Sequence, residues 1–237
     1  MQLKAISALL SYPTEDLQKA SEEIKAALTE GGLFSNAAVE PVKKLMDDIA
    51  SGDIYEMQET YVGLFDRSRT LSLNLFEHVH GESRERGSAM VDLVEMYRDG
   101  GFEPMASELP DHLPVLLEYL AMRSLGEVKE VLADTAHILE VLQTRLNRRD
   151  SNYACVFAAL LQISGTAKDQ EMVTEMLKVE EDDPEDLEAL DAVWEEAQVT
   201  FGPDPNAGCP QVRDMLAQMD VPPITTPASQ APSAAAK

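Results

Sequence analysis

The chain contains nothing close to the roughly 18 consecutive apolar residues that a membrane-spanning helix needs. Its longest apolar run is Ala154 to Leu161. The opening stretch MQLKAISALLSYP carries one lysine and no small-residue cleavage ending, so it is not expected to be a signal peptide. Cysteine is scarce. Cys155 lies in an apolar run and Cys209 beside Pro210, and the pair forms neither a metal-ligand spacing nor a disulfide framework. A reducing cytoplasm is the expected compartment. Basic residues are also few: 19 Lys plus Arg against 43 Asp plus Glu give a formal charge of −24. Such a surface repels nucleic acid and anionic lipid alike. A partner would be basic or amphipathic, although acidity also serves plain solubility.

The catalytic signatures are missing as well. No pair of histidines brackets a glutamate at helical spacing, as zinc proteases require. Gly81 and Gly87 are followed by no lysine–serine pair, so they do not build a phosphate loop. There is no glycine-flanked serine elbow, no cysteine with an evident base and no internal repeat.

What remains is helical patterning in a chain whose 44% hydrophobic content suits a globular fold. Leu17, Ala20, Ile24, Ala27 and Leu28 recur at three and four residues, with Thr14 as N-cap and Gly31-Gly32 as stop. The same period governs Val42 to Ile49, Ile54 to Phe65, and Met90 to Tyr97 before Gly100-Gly101. It returns in Leu113 to Leu120 behind a first-turn Pro114, then in Val128 to Leu132, Leu139 to Leu146 and Val156 to Leu161. Asp183-Pro184 would open a late helix carrying Leu187 and Trp194. The expected class is all-α, a single-domain helical bundle over residues 1–201. From residue 202 the last 36 residues hold seven prolines, seven alanines and no Phe, Trp or Tyr, which predicts a mobile tail over 202–237.

One segment resists the helical period. Leu71, Leu73 and Leu75 alternate strictly, as in a strand, yet no second strand is evident to pair with them. The segment is expected to be a loop or short helix pinned between helices. Around it, residues 66–87 hold four acids and four arginines, so the excess negative charge lies elsewhere. Two readings of these leucines and Phe76 stay open: an interface anchor framed by paired charges, or a buried loop whose charges pair internally. His78 and His80 would diverge by about 200° on a helix and share a face only in an extended loop. A hydrolytic metal site built from His78, His80 and His112 is the alternative from another functional class. Arg84 and Arg86 would clamp an anion, unless Glu82 and Glu85 neutralise them. Asp111 reads equally as an N-cap and as a catalytic carboxylate. Residues 180–196 hold ten carboxylates and no base, as a solvated helix face would.

The block YVGLFDRSRTLSLNLFEHVHGESRERGSAMVDLVEMY, followed by ELPDHLPVLLEYLA, resembles the assembly chaperones of respiratory nitrate reductase, within the wider TorD-like family of all-helical molybdoenzyme chaperones. LDAVWEEAQVTF at 190–201 and LLSYP at 9–13 resemble the same family more weakly. The resemblance implies a cytoplasmic, non-enzymatic chaperone that binds no cofactor stably. Its implied partner is the immature catalytic subunit of nitrate reductase, including that subunit's N-terminal leader-remnant peptide. It would hold the subunit for insertion of the molybdenum–pterin guanine dinucleotide cofactor and an iron–sulfur cluster before membrane attachment. A chaperone for another molybdoenzyme reductase is the alternative within the family. The client-binding residues expected are Leu75, Phe76, Glu77, His78, His80, Arg84, Arg86, Asp111, His112 and Tyr119, with no metal ligands.

Overall fold

Short polar side chains open most helices of the computed structural model, which describes residues 1–81, 84–104, 108–164, 169–179 and 181. Among these residues lie α1 (Gln2–Leu9), α2 (Glu15–Lys19), α3 (Ser21–Glu30), α4 (Asn36–Ser51), α5 (Ile54–Tyr61) and α6 (Leu75–His80). They are followed by α7 (Arg84–Asp99), α8 (Leu113–Leu120), α9 (Leu125–Asp134), α10 (Ala136–Arg148), α11 (Ala154–Ser164) and α12 (Gln170–Met176). Thr14, Ser35 and Asp53 accept amide hydrogens from the first turns of α2, α4 and α5. Ser124 and Glu127 form a reciprocal capping box on α9. Each cap satisfies amides that the helix cannot, worth about 1 kcal/mol apiece.

Two helices are apolar nearly all round and therefore sit inside. In α8 every residue except the exposed Glu118 is buried, and in α11 Val156, Phe157 and Leu160 have no exposure. Around them, α1 packs on α8 and α3, α4 and α9 pack on α11, and α10 packs on α11 and α12. Ser7 fixes the α1–α8 contact by donating its hydroxyl to the Pro114 carbonyl at 2.8 Å. Among the described residues helices and their connections account for the chain apart from one isolated bridge, as the expected class requires.

Three local departures matter for the site. The stretch expected as one helix from Leu17 to Leu28 breaks at Ala20 into α2 and α3. The break costs little bonding, because the Ala20 amide still reaches the Asp16 carbonyl at 3.0 Å and the Ile24 amide that of Ala20 at 2.9 Å. The stretch expected to run helically from Ile54 to Phe65 leaves α5 as a π-turn over Val62–Asp66. Such turns commonly reposition side chains near functional sites. Finally, the alternating leucines are partly extended. After a 3₁₀ turn over Arg69–Leu71 the chain straightens, and Asn74 pairs antiparallel with His112. The Leu75 amide donates to the Asp111 carbonyl at 3.0 Å, and the Leu113 amide to the Leu73 carbonyl at 2.9 Å. The missing strand partner is thus the short segment that leads into α8. Leu71, Leu73 and Leu75 are at most 3% exposed, which fits the buried-loop reading of that stretch.

The late helix expected from Asp183, the acidic run beyond Glu181 and the tail from residue 202 lie outside the described residues. Glu181 itself is paired with Arg148 at 3.0 Å and Arg149 at 3.4 Å, both near the end of α10.

Candidate functional site

Asp111 has no exposed surface, and its Oδ2 accepts the Phe76 amide at 3.0 Å. Phe76 is the second residue of α6, whose own N-cap, Asn74, makes no side-chain capping bond. Asp111 therefore caps a helix that begins 36 residues before it. The sequence reading placed it as a cap of its own helix or a catalytic carboxylate. Instead His112 occupies the N-cap of α8, without a capping bond. Arg86 donates to Glu77 Oε1 at 3.1 Å and stands 3.9 Å from Asp111 Oδ2. Burial pushes the Asp111 carboxyl above the ordinary carboxylate range, against the Phe76 amide and Arg86, which favour its ionised form.

The two histidines of α6 part company, as helical geometry demands. His78 turns inward, donating Nε2–H to the Ser72 carbonyl at 2.8 Å, and burial lowers its pKa. His80 lies edge-on to Phe76 with ring centres 5.7 Å apart, its Nδ1 3.9 Å from Glu85. His112 faces a different space, so the three do not converge. Among the described residues no three His, Cys, Asp or Glu side chains are placed to hold a metal ion.

Tyr119 is 6% exposed and packs against Tyr97, with ring centres 4.9 Å apart, and Phe102. The Arg123 guanidinium covers its ring at 5.0 Å. A Cβ at Gly100 would fall 2.6 Å from the Tyr119 ring, so only glycine allows α7 to end there. Leu75, Asp111 and Tyr119 thus support the site from below. Phe76, Glu77, His80 and Arg86 are half-buried, and Arg84 opens α7.

His112 lines a cleft of about 460 Å³. Ser11 and Tyr12 reach it from just beyond α1, Tyr61 from the end of α5, Asp66 from the π-turn, and Glu108 and His112 from the approach to α8. A smaller cavity of about 200 Å³ adjoins it, sharing Tyr61, Asp66, Glu108 and His112 and extending to Asn74 at the start of α6. The π-turn delivers Asp66 here, because the extra residue per turn rotates it relative to an α-helical continuation. Burial raises the Asp66 pKa, opposed by the nearby His112. It also lowers the His112 pKa, against the pull of Glu108, Asp111 and Asp66. Glu108 Oε2 stands 3.5 Å from His112 Nδ1. Chemically the cleft offers carboxylates, a neutral imidazole and aromatic walls, a set suited to binding a cation.

Segments far apart in the chain therefore supply one cleft: residues 11–12, 61–66 and 108–118. All of it falls within residues 13–159 except Ser7, Ser11 and Tyr12. Those same 147 residues match the family model described as nitrate reductase delta subunit. The chain belongs to that family.

Two of its curated relatives match it over more than four fifths of its length. Over 208 residues, 88% of either chain, it is 42% identical to the nitrate reductase molybdenum cofactor assembly chaperone NarJ of Escherichia coli. It is 39% identical over 207 residues to the probable nitrate reductase molybdenum cofactor assembly chaperone NarW of the same organism, covering 87% of this chain and 86% of that one. The probable chaperone NarJ of Bacillus subtilis is 32% identical over 157 residues, 66% of this chain and 84% of the relative.

Sequence reasoning singled out Asp111 and His112 but missed Tyr12, Glu108 and Glu118 as cleft residues. The LLSYP and ELPDH stretches carried the available signal, since both stood out by resemblance. No periodicity could join them, because the cleft is made by the packing of α1 on α8.

Proposed function

We propose that this protein is a dedicated assembly chaperone of respiratory nitrate reductase, acting in insertion of the molybdenum cofactor into the catalytic subunit rather than as a catalyst. The observation that carries this is the 42% identity over 88% of the chain to a chaperone of that name. The fold is compatible: helices with an acidic, aromatic-walled cleft and no clustered metal ligands among the described residues.

The finer reading is that the chaperone binds the N-terminal segment of the immature catalytic subunit. It holds the subunit in the cytoplasm until the molybdenum–pterin guanine dinucleotide cofactor and an iron–sulfur cluster are in place, without itself retaining the cofactor. The inferred client face comprises the cleft with His112 and the neighbouring outer side of α6, with Phe76, Glu77, His80, Arg84 and Arg86. A net charge of −24 favours a segment carrying basic residues and speeds its encounter. Co-purification from cells respiring nitrate tests the reading. Tagged chaperone is expected to retain the cofactor-free catalytic subunit, and to lose most of it when the subunit's N-terminal segment is deleted. Recovery of a different molybdoenzyme, or of no molybdoenzyme, would refute it.

A further inference from the structure

Arg145 of α10 is 2% exposed, and its guanidinium spans two carbonyls that are far apart in the chain. Nη1 donates to the Thr70 carbonyl at 2.7 Å and Nη2 to that of Met176 at 2.6 Å. Met176 ends α12, a helix past the residues 13–159 that match the family model, which Val173 packs against Ala136 and Val141 of α10. Thr70 sits in the 3₁₀ turn from which the leucine segment straightens. The path from that turn to α6 is short and bonded along its length. Leu73 and Leu75 pair with residues 111–113, the Ser72 carbonyl accepts from His78, and Phe76 follows at once. Leu71, Leu73 and Leu75 are all buried, so a slip of one residue would turn the three outward and shift the start of α6. A bond to the Thr70 carbonyl therefore acts on the register of α6.

We infer that Arg145 is a positioning residue for the outer face of α6. Its fork couples the docking of α12 to the register of residues 70–75, and through that register to the placement of Phe76, Glu77 and His80. The inference rests on the client reading above, which puts these three residues on the client face, and it adds a helix distant in sequence to what holds them. Arginine suits the task because its planar guanidinium presents donors in a fixed fork, which sets the separation of the two carbonyls. Charge-assisted bonds are short and strong, as both of these are. When α12 undocks, the Met176 carbonyl leaves and the fork loses the partner that orients it toward Thr70.

The test is hydrogen–deuterium exchange of the full chain, read at the amides of residues 70–81. Arg145→Ala is expected to speed exchange there about tenfold or more, through local opening of this stretch. Leu45→Ala is the control: it lies in α4, which packs on α2, α3 and α11, and it should lower Tm while leaving these amides within about twofold of wild type. Val173→Ala thins the contact of α12 on α10 and is expected to speed the same amides about threefold or more, yet to add nothing once Arg145→Ala is present. Additive effects, or unchanged exchange in Val173→Ala, would overturn the coupling, and the second result decides even if Arg145→Ala does not fold. Function is read by calorimetric titration with a synthetic peptide of the catalytic subunit's N-terminal segment. Arg145→Ala and Val173→Ala should each weaken binding about threefold or more, and Leu45→Ala should not. Wild-type binding with both variants unchanged would sink the inference and leave the client reading intact. Absence of wild-type binding would remove the client reading, and with it the role of Arg145 in client binding, while exchange still decided the coupling of α12 to α6.

Discussion

Asp111→Ala is expected to destabilise the protein by about 2–3 kcal/mol. The carboxylate is fully buried and accepts the Phe76 amide at 3.0 Å, in place of the cap that Asn74 does not provide. A hydrogen bond to a charged group contributes about 1.5–3 kcal/mol, and a buried amide left without a partner costs about 1–3 kcal/mol; the two overlap rather than add. Truncation also leaves a small void and removes a charge 3.9 Å from Arg86, which keeps Glu77 as a partner at 3.1 Å. For a domain of this size the sum corresponds to a fall in Tm of about 5–10 °C. Asp111→Asn separates the hydrogen bond from the charge. Because burial already disfavours the ionised carboxyl, an amide oxygen that still accepts from Phe76 should recover most of the stability, within about 1 kcal/mol of wild type. Thermal and urea unfolding followed by circular dichroism measure both. A Tm loss under 2 °C for Asp111→Ala, or equal losses for the two variants, would show that α6 does not depend on this cap.

His78 is neutral in the fold because burial lowers its pKa, so below about pH 6.5 the unfolded chain takes up the proton first and stability falls with pH. His78→Gln is therefore expected to be less stable at pH 7.5 but to lose less on going to pH 5.5; an unchanged pH slope, measured by urea unfolding, would contradict this. Arg145, 2% exposed, donates to the Thr70 carbonyl at 2.7 Å and the Met176 carbonyl at 2.6 Å, so Arg145→Ala should cost about 3 kcal/mol and a clear drop in Tm, visible in the same assay. His78→Ala and His80→Ala should weaken maturation of the client while leaving the metal content of chelator-free protein unchanged; zinc or iron present in the wild type and lost in either variant would overturn that. Deleting residues 220–237, a segment with four prolines and no aromatic residue, should leave Tm and client binding nearly unchanged, and a drop of several degrees would show that the segment docks.

The helices were legible in the sequence because their causes are local. Thr14, Ser124 and Glu127 cap from within three residues of the amides they satisfy, and the apolar spacing of α4 or α10 states which face is buried. Resemblance along residues 61–121 likewise identified the family, since order along the chain is all such a match requires. What depends on sequence-distant contact was decided only by tertiary structure. The partner of the alternating leucines is the segment at 111–113, and Asp111 caps α6 rather than its own helix, because bonds between elements leave no periodic trace. The cleft joins Tyr12, Asp66 and Glu108 through the packing of α1 on α8 and through a π-turn that no residue pattern announces. Local chemistry determines which segments are helical, while which carboxylates share one cleft follows from how those helices pack.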